Sequence, residues 1–505
     1  MKCKRAYLII NPRAGQNIAK LTDVMPVLSA AGWKTDIAIK EYGGHTMELA
    51  NKGAEEGYDL IIGYGGDGTL NNVVNGVMSA KGQHSIVGVI PGGTANVWAS
   101  EIGIPIDPVK SSLTLVNSEA HKVDIGHVEA ESLTFPNISA EQQQPTSDNQ
   151  NKKGHTKKVK ATSKAKHHFL LMAGLGIDAA IMSHVSKPLK YKIGPLAVGI
   201  TAAQELPRQH PFPIEIRSGD NGKEDSVVWK GEVLQVVIGN TRRYGDIAEM
   251  TPNAHIDDGI LDICVITSGD PLSTVQQITA LLFRRKPDNT VSEYFRGAHF
   301  TISVPASINM QLDGSAVNLK DYLSKAERQA LAQADAEHVM VNYRFDAMPR
   351  ALQVAIPYTY DDALFESGPD KKQVEVLQQE HASDQQQQEQ ASTHHDDKQA
   401  DAQQQQMLEH VDALLTNGRK VTIVGVTPNP NKKDAYIIAG GTPKKSTGEN
   451  KPVAVTIDDN TTIIRHTGEH LPPSVAKELI EGSTIVVEGK QSKRGVIHAK
   501  RMVIA

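Results

Sequence analysis

Apolar and polar positions follow two different rhythms along the chain. Over residues 1–125, short apolar runs give way to segments of helical period. The runs at 6–10, 35–39, 59–62 and 86–90 read as strands. Between them Ile18, Leu21, Val24 and Leu28 recur on one helix face, as do Met47, Leu49, Ala50 and Ala54. Val73, Val74, Val77 and Met78 form a third stripe. Strands alternating with helices predict a parallel sheet covered on both faces. From about residue 123, strand follows strand: 123–128, 168–173, 212–217, 232–238, 260–266, 299–304 and 308–312, with one helix predicted at 271–284. That pattern predicts a mostly antiparallel β-domain, sandwich or barrel. The apolar run 351–356 is expected to return to the first domain. Past a short helix at 407–415, six β-segments lie at 420–424, 435–438, 453–457, 462–465, 483–488 and 496–500, with a helix near 473–480. They predict a small OB-like barrel.

Two segments break the rhythm. Residues 131–166 begin Gln-rich and end with Lys152, Lys153, Lys157, Lys158, Lys160, Lys164 and Lys166. Residues 366–406 are rich in Gln, Asp, Glu and His. Neither carries enough apolar surface to fold alone. The expected units are therefore 1–122 with 338–357 returning to it, 123–318 with an insertion at 131–166, a linker at 366–406, and 407–505.

Composition narrows the setting. The 505 residues are 39% hydrophobic and 22% charged, with a formal net charge of −5, so no nucleic-acid partner is expected. Tyr436 is the sole aromatic of the last unit, so the stacking platform of single-strand binders is missing. Cys3 and Cys264 cannot build a disulfide framework or a zinc cluster, and a reducing cytoplasm is the expected home. No apolar run approaches the roughly 20 residues of a membrane span, so membrane contact would be peripheral, at its inner face.

The chemistry lies in three loops, each after an apolar run: Asn11-Pro12-Arg13-Ala14-Gly15, Gly65-Gly66-Asp67-Gly68-Thr69, and Pro91-Gly92-Gly93-Thr94-Ala95-Asn96. All three fall at the carboxyl edge of the predicted sheet, where open α/β sheets bind ligands. A strand, a glycine loop and a helix start make an anion site, with amide groups and a positive dipole end aimed at phosphate. Taken alone, Gly65-Gly66-Asp67-Gly68 reads equally well as a tight strand–helix turn. Asp67 cannot bind phosphate directly; it can hold a cation or accept a proton from an attacking hydroxyl. Asp257-Asp258-Gly259 alone reads as a β-turn. His121, His127 and the pair His167-His168 read as surface or strand residues, because nothing pairs with them at metal-site spacing.

In order and spacing, the three loops resemble the diacylglycerol kinase catalytic domain family, whose near relatives are bacterial soluble lipid kinases and more distantly sphingosine kinases. Val123-Asp124-Ile125-Gly126, Ala173-Gly174-Leu175-Gly176-Ile177-Asp178, Gly239-Asn240, the 254–262 stretch and Leu312-Asp313-Gly314 are similar to family landmarks in the β-domain. The resemblance implies a two-domain kinase using ATP and Mg²⁺ to phosphorylate a lipid hydroxyl in the cleft between the domains. It implies that Asn11, Gly15, Gly65, Gly66, Asp67, Gly68, Thr69, Asn71, Thr94 and Asn96 cradle the nucleotide. It places Asp67 beside magnesium and the transferred group, and gives Asp258 a structural magnesium. Family members commonly continue Leu-Asp-Gly-Glu, the glutamate being the general base; here Ser315 follows, which leaves the proton to Asp67 or Asp313, or leaves the chain inactive. Glu41-Tyr42-Gly43-Gly44-His45 and Asn96-Val97-Trp98 also depart from the family pattern. The expected reaction is γ-phosphate transfer to diacylglycerol or a related lipid alcohol. The alternatives are a nucleotide-binding pseudokinase or scaffold and an NAD kinase-like enzyme. The expected partner is a lipid at the membrane surface, met through the Lys-rich 151–166 stretch, and a homodimer is compatible with the sequence.

Overall fold

The structure is a computed structural model, and it describes residues 3–14, 21–82, 85–136, 156–158, 165–176, 210–219, 226–244, 248–267, 292–366, 411, 413–443 and 450–504. The helix expected at 271–284 and the linker from 367 onward lie outside the described residues.

Four strands, β1 (Arg5–Ile10), β2 (Lys34–Ile39), β3 (Leu60–Gly65) and β4 (Ile86–Pro91), pair in parallel in the order β2-β1-β3-β4. The helices between and after them are α1 (Leu21–Ala30), α2 (His45–Glu55), α3 (Asp67–Met78), α4 (Val97–Glu101) and α5 (Pro108–Val116). β3 is buried along its whole length, as a strand covered on both faces must be. α3 docks its Val73, Val74 and Val77 face on this sheet, in one core with Ile9, Ile61 and Val87.

A 17-residue strand, β5 (Ser118–Thr134), then leaves this domain and enters the second one. The β-domain follows as β6 (Thr156–Lys158), β7 (His168–Phe169), β8 (Met172–Gly176), β9 (Phe212–Ser218), β10 (Ser226–Gly239), β11 (Arg243–Tyr244), β12 (Ala248–Glu249), β13 (Leu261–Thr267), β14 (Ser292–Gly297), β15 (His299–Pro305), β16 (Met310–Leu312) and β17 (Ser315–Val317). Two short helices, α6 (Leu319–Tyr322) and α7 (Lys325–Gln333), precede β18 (Met340–Pro357). Within the β-domain every described strand pairing is antiparallel. Its core includes Phe169, Phe300, Tyr343 and Phe345.

β18 returns. Its first half pairs with β15 and its last residues run beside β4, with Val354 against Val87. β5 and β18 pair antiparallel from Thr134 with Met340 to Ser118 with Pro357, broken by a bulge between Met348 and Leu352. One two-stranded ribbon therefore crosses from domain to domain.

The C-terminal strands β19 (Arg419–Pro428), β20 (Tyr436–Pro443), β21 (Asn450–Ile457), β22 (Thr462–Arg465), β23 (His470–Leu471), β24 (Thr484–Gln491) and β25 (Val496–Ile504) include a closed five-stranded barrel, β21-β20-β19-β24-β25, sealed by parallel pairing of β21 with β25. The expected helix near 473–480 is a 3₁₀ turn, Pro473–Glu478. The barrel is docked on the first domain. Ile437, Ala439, Ala454 and Val496 share a buried cluster with Val24, Leu28 and Leu113 of α1 and α5.

Candidate functional site

The site begins at the end of β3. Gly65 and Gly66 lead into α3, whose first residue is Asp67. The glycines here are required by contact. A Cβ on Gly93 would fall 2.3 Å from the Gly66 Cα, and one on Gly65 would fall 2.4 Å from the Thr69 Oγ1. The second and third loops therefore lie backbone against backbone. The third loop is shaped by Asn96, which holds a left-handed φ of 51° while its Oδ1 accepts from the Gly93 amide at 2.8 Å. The first loop is tied in by Asn11, whose Nδ2 donates to the Thr69 Oγ1 at 3.0 Å and whose amide donates to the Tyr64 carbonyl. Gly68 and Thr94 are partly exposed on the same rim. Gly15 lies outside the described residues.

Asp67 is half-buried and accepts from the Trp98 amide at 3.2 Å. Gly65, Gly66, Asp67, Leu70, Val89, Asn96, Trp98 and Ala99 line a narrow crevice. Its wall carries a carboxylate and the N-terminal end of α3, whose dipole favours an anion, the equipment of a phosphate site with a cation.

The β-domain reaches this loop through the β16–β17 hairpin. Asp313 and Gly314 both have positive φ, 47° and 71°, as a two-residue Asp-Gly hairpin demands. The Asp313 carboxylate accepts from the amides of Leu170, Leu171 and Met172 and from the Asn71 Nδ2, at 2.9 to 3.0 Å. Burial pushes its carboxyl up to about 6, while these donors pull the other way. Asp313 is 3% exposed, so it has no open face for a substrate hydroxyl. The carboxylate ties 170–172 to α3. Asn71, expected at the nucleotide, lies beside Asp313. It is fully buried, and its Nδ2 spans from the Asp313 carboxylate to the His168 carbonyl. One turn on, the Asn75 Oδ1 accepts from the amides of His167 and His168.

Ser315 does face the loop. A Cβ on Gly68 would lie 2.7 Å from its Oγ. Lys166, assigned from sequence to a membrane-facing stretch, is instead half-buried within electrostatic reach of Asp313 and Lys40. Burial lowers its ammonium to about 8. Its burial beside Asp313 is what the sequence reading missed. Its place at the junction with strand residue His168 was the available signal.

Asp258, the expected magnesium ligand, pairs with an arginine. Its Oδ2 pairs with the Arg296 guanidinium at 2.8 Å and its Oδ1 accepts from the Ile260 amide at 3.0 Å. Asp262 shares the same guanidinium at 2.9 Å. Both Asp258 oxygens are engaged within the chain, and the guanidinium compensates its charge.

Comparison with known proteins agrees with this frame. Residues 5–128 match the family described as the diacylglycerol kinase catalytic domain, and residues 172–356 match the YegS C-terminal NAD kinase beta sandwich-like domain. Over these residues the chain is similar to the two families, and neither match covers half of it. It is 26% identical over 314 residues to "Diacylglycerol kinase" of Bacillus subtilis (strain 168), covering 62% of this chain and 89% of the relative. "Probable lipid kinase YegS" of Escherichia fergusonii is 26% identical over 320 residues, 63% of this chain and 91% of its own length. A solved Bacillus anthracis chain of 20% identity overlays with a TM-score of 0.50 and covers 71% of this chain and 97% of that one, which shows a shared fold.

Proposed function

We propose that the chain transfers the γ-phosphate of ATP to the hydroxyl of diacylglycerol or a related lipid alcohol. The observation that carries this is the apposition of the Gly66 and Gly93 backbones at the start of α3, with Asp67 on the rim. Phosphoryl transfer needs positioning and charge neutralisation more than covalent chemistry. Loop amides and the α3 dipole supply part of the neutralisation. Asp67 would hold magnesium, which when bound would neutralise phosphate oxygens. In the reaction the lipid oxygen attacks the γ-phosphorus, the bond to the β-bridging oxygen breaks, and ADP leaves. The hydroxyl proton goes to Asp67, since Asp313 is covered and serine cannot accept a proton at neutral pH. Transfer of labelled γ-phosphate to a panel of lipid alcohols, with magnesium and anionic vesicles, tests the reading; absence of labelled lipid across the panel overturns it.

Ser315 favours a second reading, a nucleotide-binding scaffold without turnover. Replacement of Ser315 by Glu separates the two. Higher turnover identifies a kinase slowed by a missing base. Nucleotide binding without turnover in both forms identifies the scaffold.

A further inference from the structure

The junction of β5 with 165–168 brings together three side chains of metal-binding type. His127 and Glu129 lie two apart on β5 and so share a face. His167 comes from the adjoining segment, and one donor atom of each of the three lies within 4.8 Å of the others. The His127 Nε2 is 3.6 Å from the Glu129 Oε1. Bonds of about 2.0–2.1 Å in tetrahedral array put neighbouring donors about 3.4 Å apart, so that edge is nearly formed.

One imidazole is hydrogen-bonded from behind and the other faces a carboxylate. The His167 Nδ1 lies 3.2 Å from the Val128 carbonyl. A carbonyl only accepts, so Nδ1 carries the hydrogen and Nε2 keeps its lone pair. The His127 Nδ1 faces the Asp346 carboxylate at 3.9 Å, leaving Nε2 toward Glu129. A ring nitrogen bonded to a carbonyl or carboxylate, with the other nitrogen turned to the ion, is the usual orientation of metal-bound histidine. Asp346 is in turn held by Arg344 at 2.9 Å. Two imidazoles and one carboxylate suit zinc-type divalent ions and are a poor set for magnesium, which takes oxygen.

We propose that His127, His167 and Glu129 bind one zinc-type divalent cation, with solvent as fourth ligand. The two histidines flank the Gln- and Lys-rich 131–166 stretch in sequence. A bound ion would cross-link the two ends of that stretch. It would also stiffen 167–168, whose amides hold Asn75 of α3.

Cobalt(II) titration of the full chain, stripped beforehand with chelator, tests this. The expected result is visible absorption of a tetrahedral nitrogen–oxygen site that saturates at one equivalent. Zinc should abolish it and excess magnesium should not. Separate His127→Gln and His167→Gln variants should bind about 100-fold more weakly or worse. Asp346→Asn, an outer partner, should lose about 10–100-fold. Circular dichroism spectra matching the parent show that each variant is folded. Absence of the tetrahedral signal overturns the proposal. So does a signal unchanged in folded His127→Gln and His167→Gln, which would assign the ion to histidines elsewhere. Magnesium displacing cobalt at equal concentration also overturns it.

Discussion

A carboxylate buried beneath four donors is a scaffold for its neighbours, as Asp313 is for 170–172 and Asn71. Replacing it by Asn would turn an amide group toward backbone N–H donors. At about 1–3 kcal/mol for each buried donor left unpaired, Asp313→Asn should destabilise the β-domain by several kcal/mol, read as a lowered urea midpoint. Asp67→Asn removes a half-exposed acid at a helix start. It should leave the unfolding midpoint nearly unchanged while turnover falls at least about 100-fold, the scale of a general base. A third carboxyl makes a pH prediction. Glu101 accepts from the Arg243 amide at 2.7 Å, its Oε2 has no partner, and burial raises its carboxyl to about 7. A raised acid means the native state binds more protons than the unfolded one, so stability falls as pH rises from the unfolded value near 4.5 through 7. Glu101→Gln should flatten that decline in denaturation midpoints measured between pH 5 and 8. Of these residues, Asp67 was legible from the loop that holds it. The hairpin at Asp313-Gly314 was readable from two residues of turn chemistry. The donors that cover Asp313 were not, because they come from 170–172, distant in sequence. The same distance hid the grouping of His127 with His167, and the guanidinium on Asp258.

Elements were easiest to read where one period dominated. The buried run of β3 and the Val73, Val74, Val77 stripe of α3 are strong local signals, and both formed as expected. α5 formed unannounced, although Asp107 before Pro108 is a helix start and Val109, Leu113 and Val116 repeat at helical spacing. The Asp107 Oδ1 accepts from the amides of Val109 and Lys110. α7 carries a full capping box between Ser324 and Glu327, also passed over. β5 was underestimated because its polar first turn of sequence, 118–122, becomes a strand only by pairing with β18. At the site, two elements meet so closely that one methyl group matters. Gly93→Ala should force the second and third loops apart and weaken ATP binding by calorimetry at least about 10-fold, equivalent to about 1.4 kcal/mol. Gly43→Ala, where an added Cβ meets nothing within 4 Å, is the matched control and should bind as the parent does.

At the scale of the molecule, the barrel is where sequence reading fell furthest short. Its strands were visible, but its attachment depends on which face of β20 is covered. Tyr436 and Ile438 point into the barrel core, and the alternate residues Ile437 and Ala439 belong to the cluster with α1 and α5. That alternation is an apolar-both-sides strand, and it marks a docked barrel. Ala439→Glu should place a charge in the seam and release the barrel with its own core intact. Hydrogen exchange should then rise in α1 and α5 and stay low in β24. Breaking the Lys110–Glu481 pair at the rim, exposed on both sides, should change stability by at most about 1 kcal/mol. The ribbon of β5 and β18 carries a consequence for biosynthesis. β4 leaves the ribosome long before Val354, its neighbour, exists, about 260 residues later. At roughly 5–20 residues per second the nascent sheet waits on the order of 10–50 s with that edge open. An open edge is a template for foreign strands, so this interval is when the polypeptide most needs a chaperone.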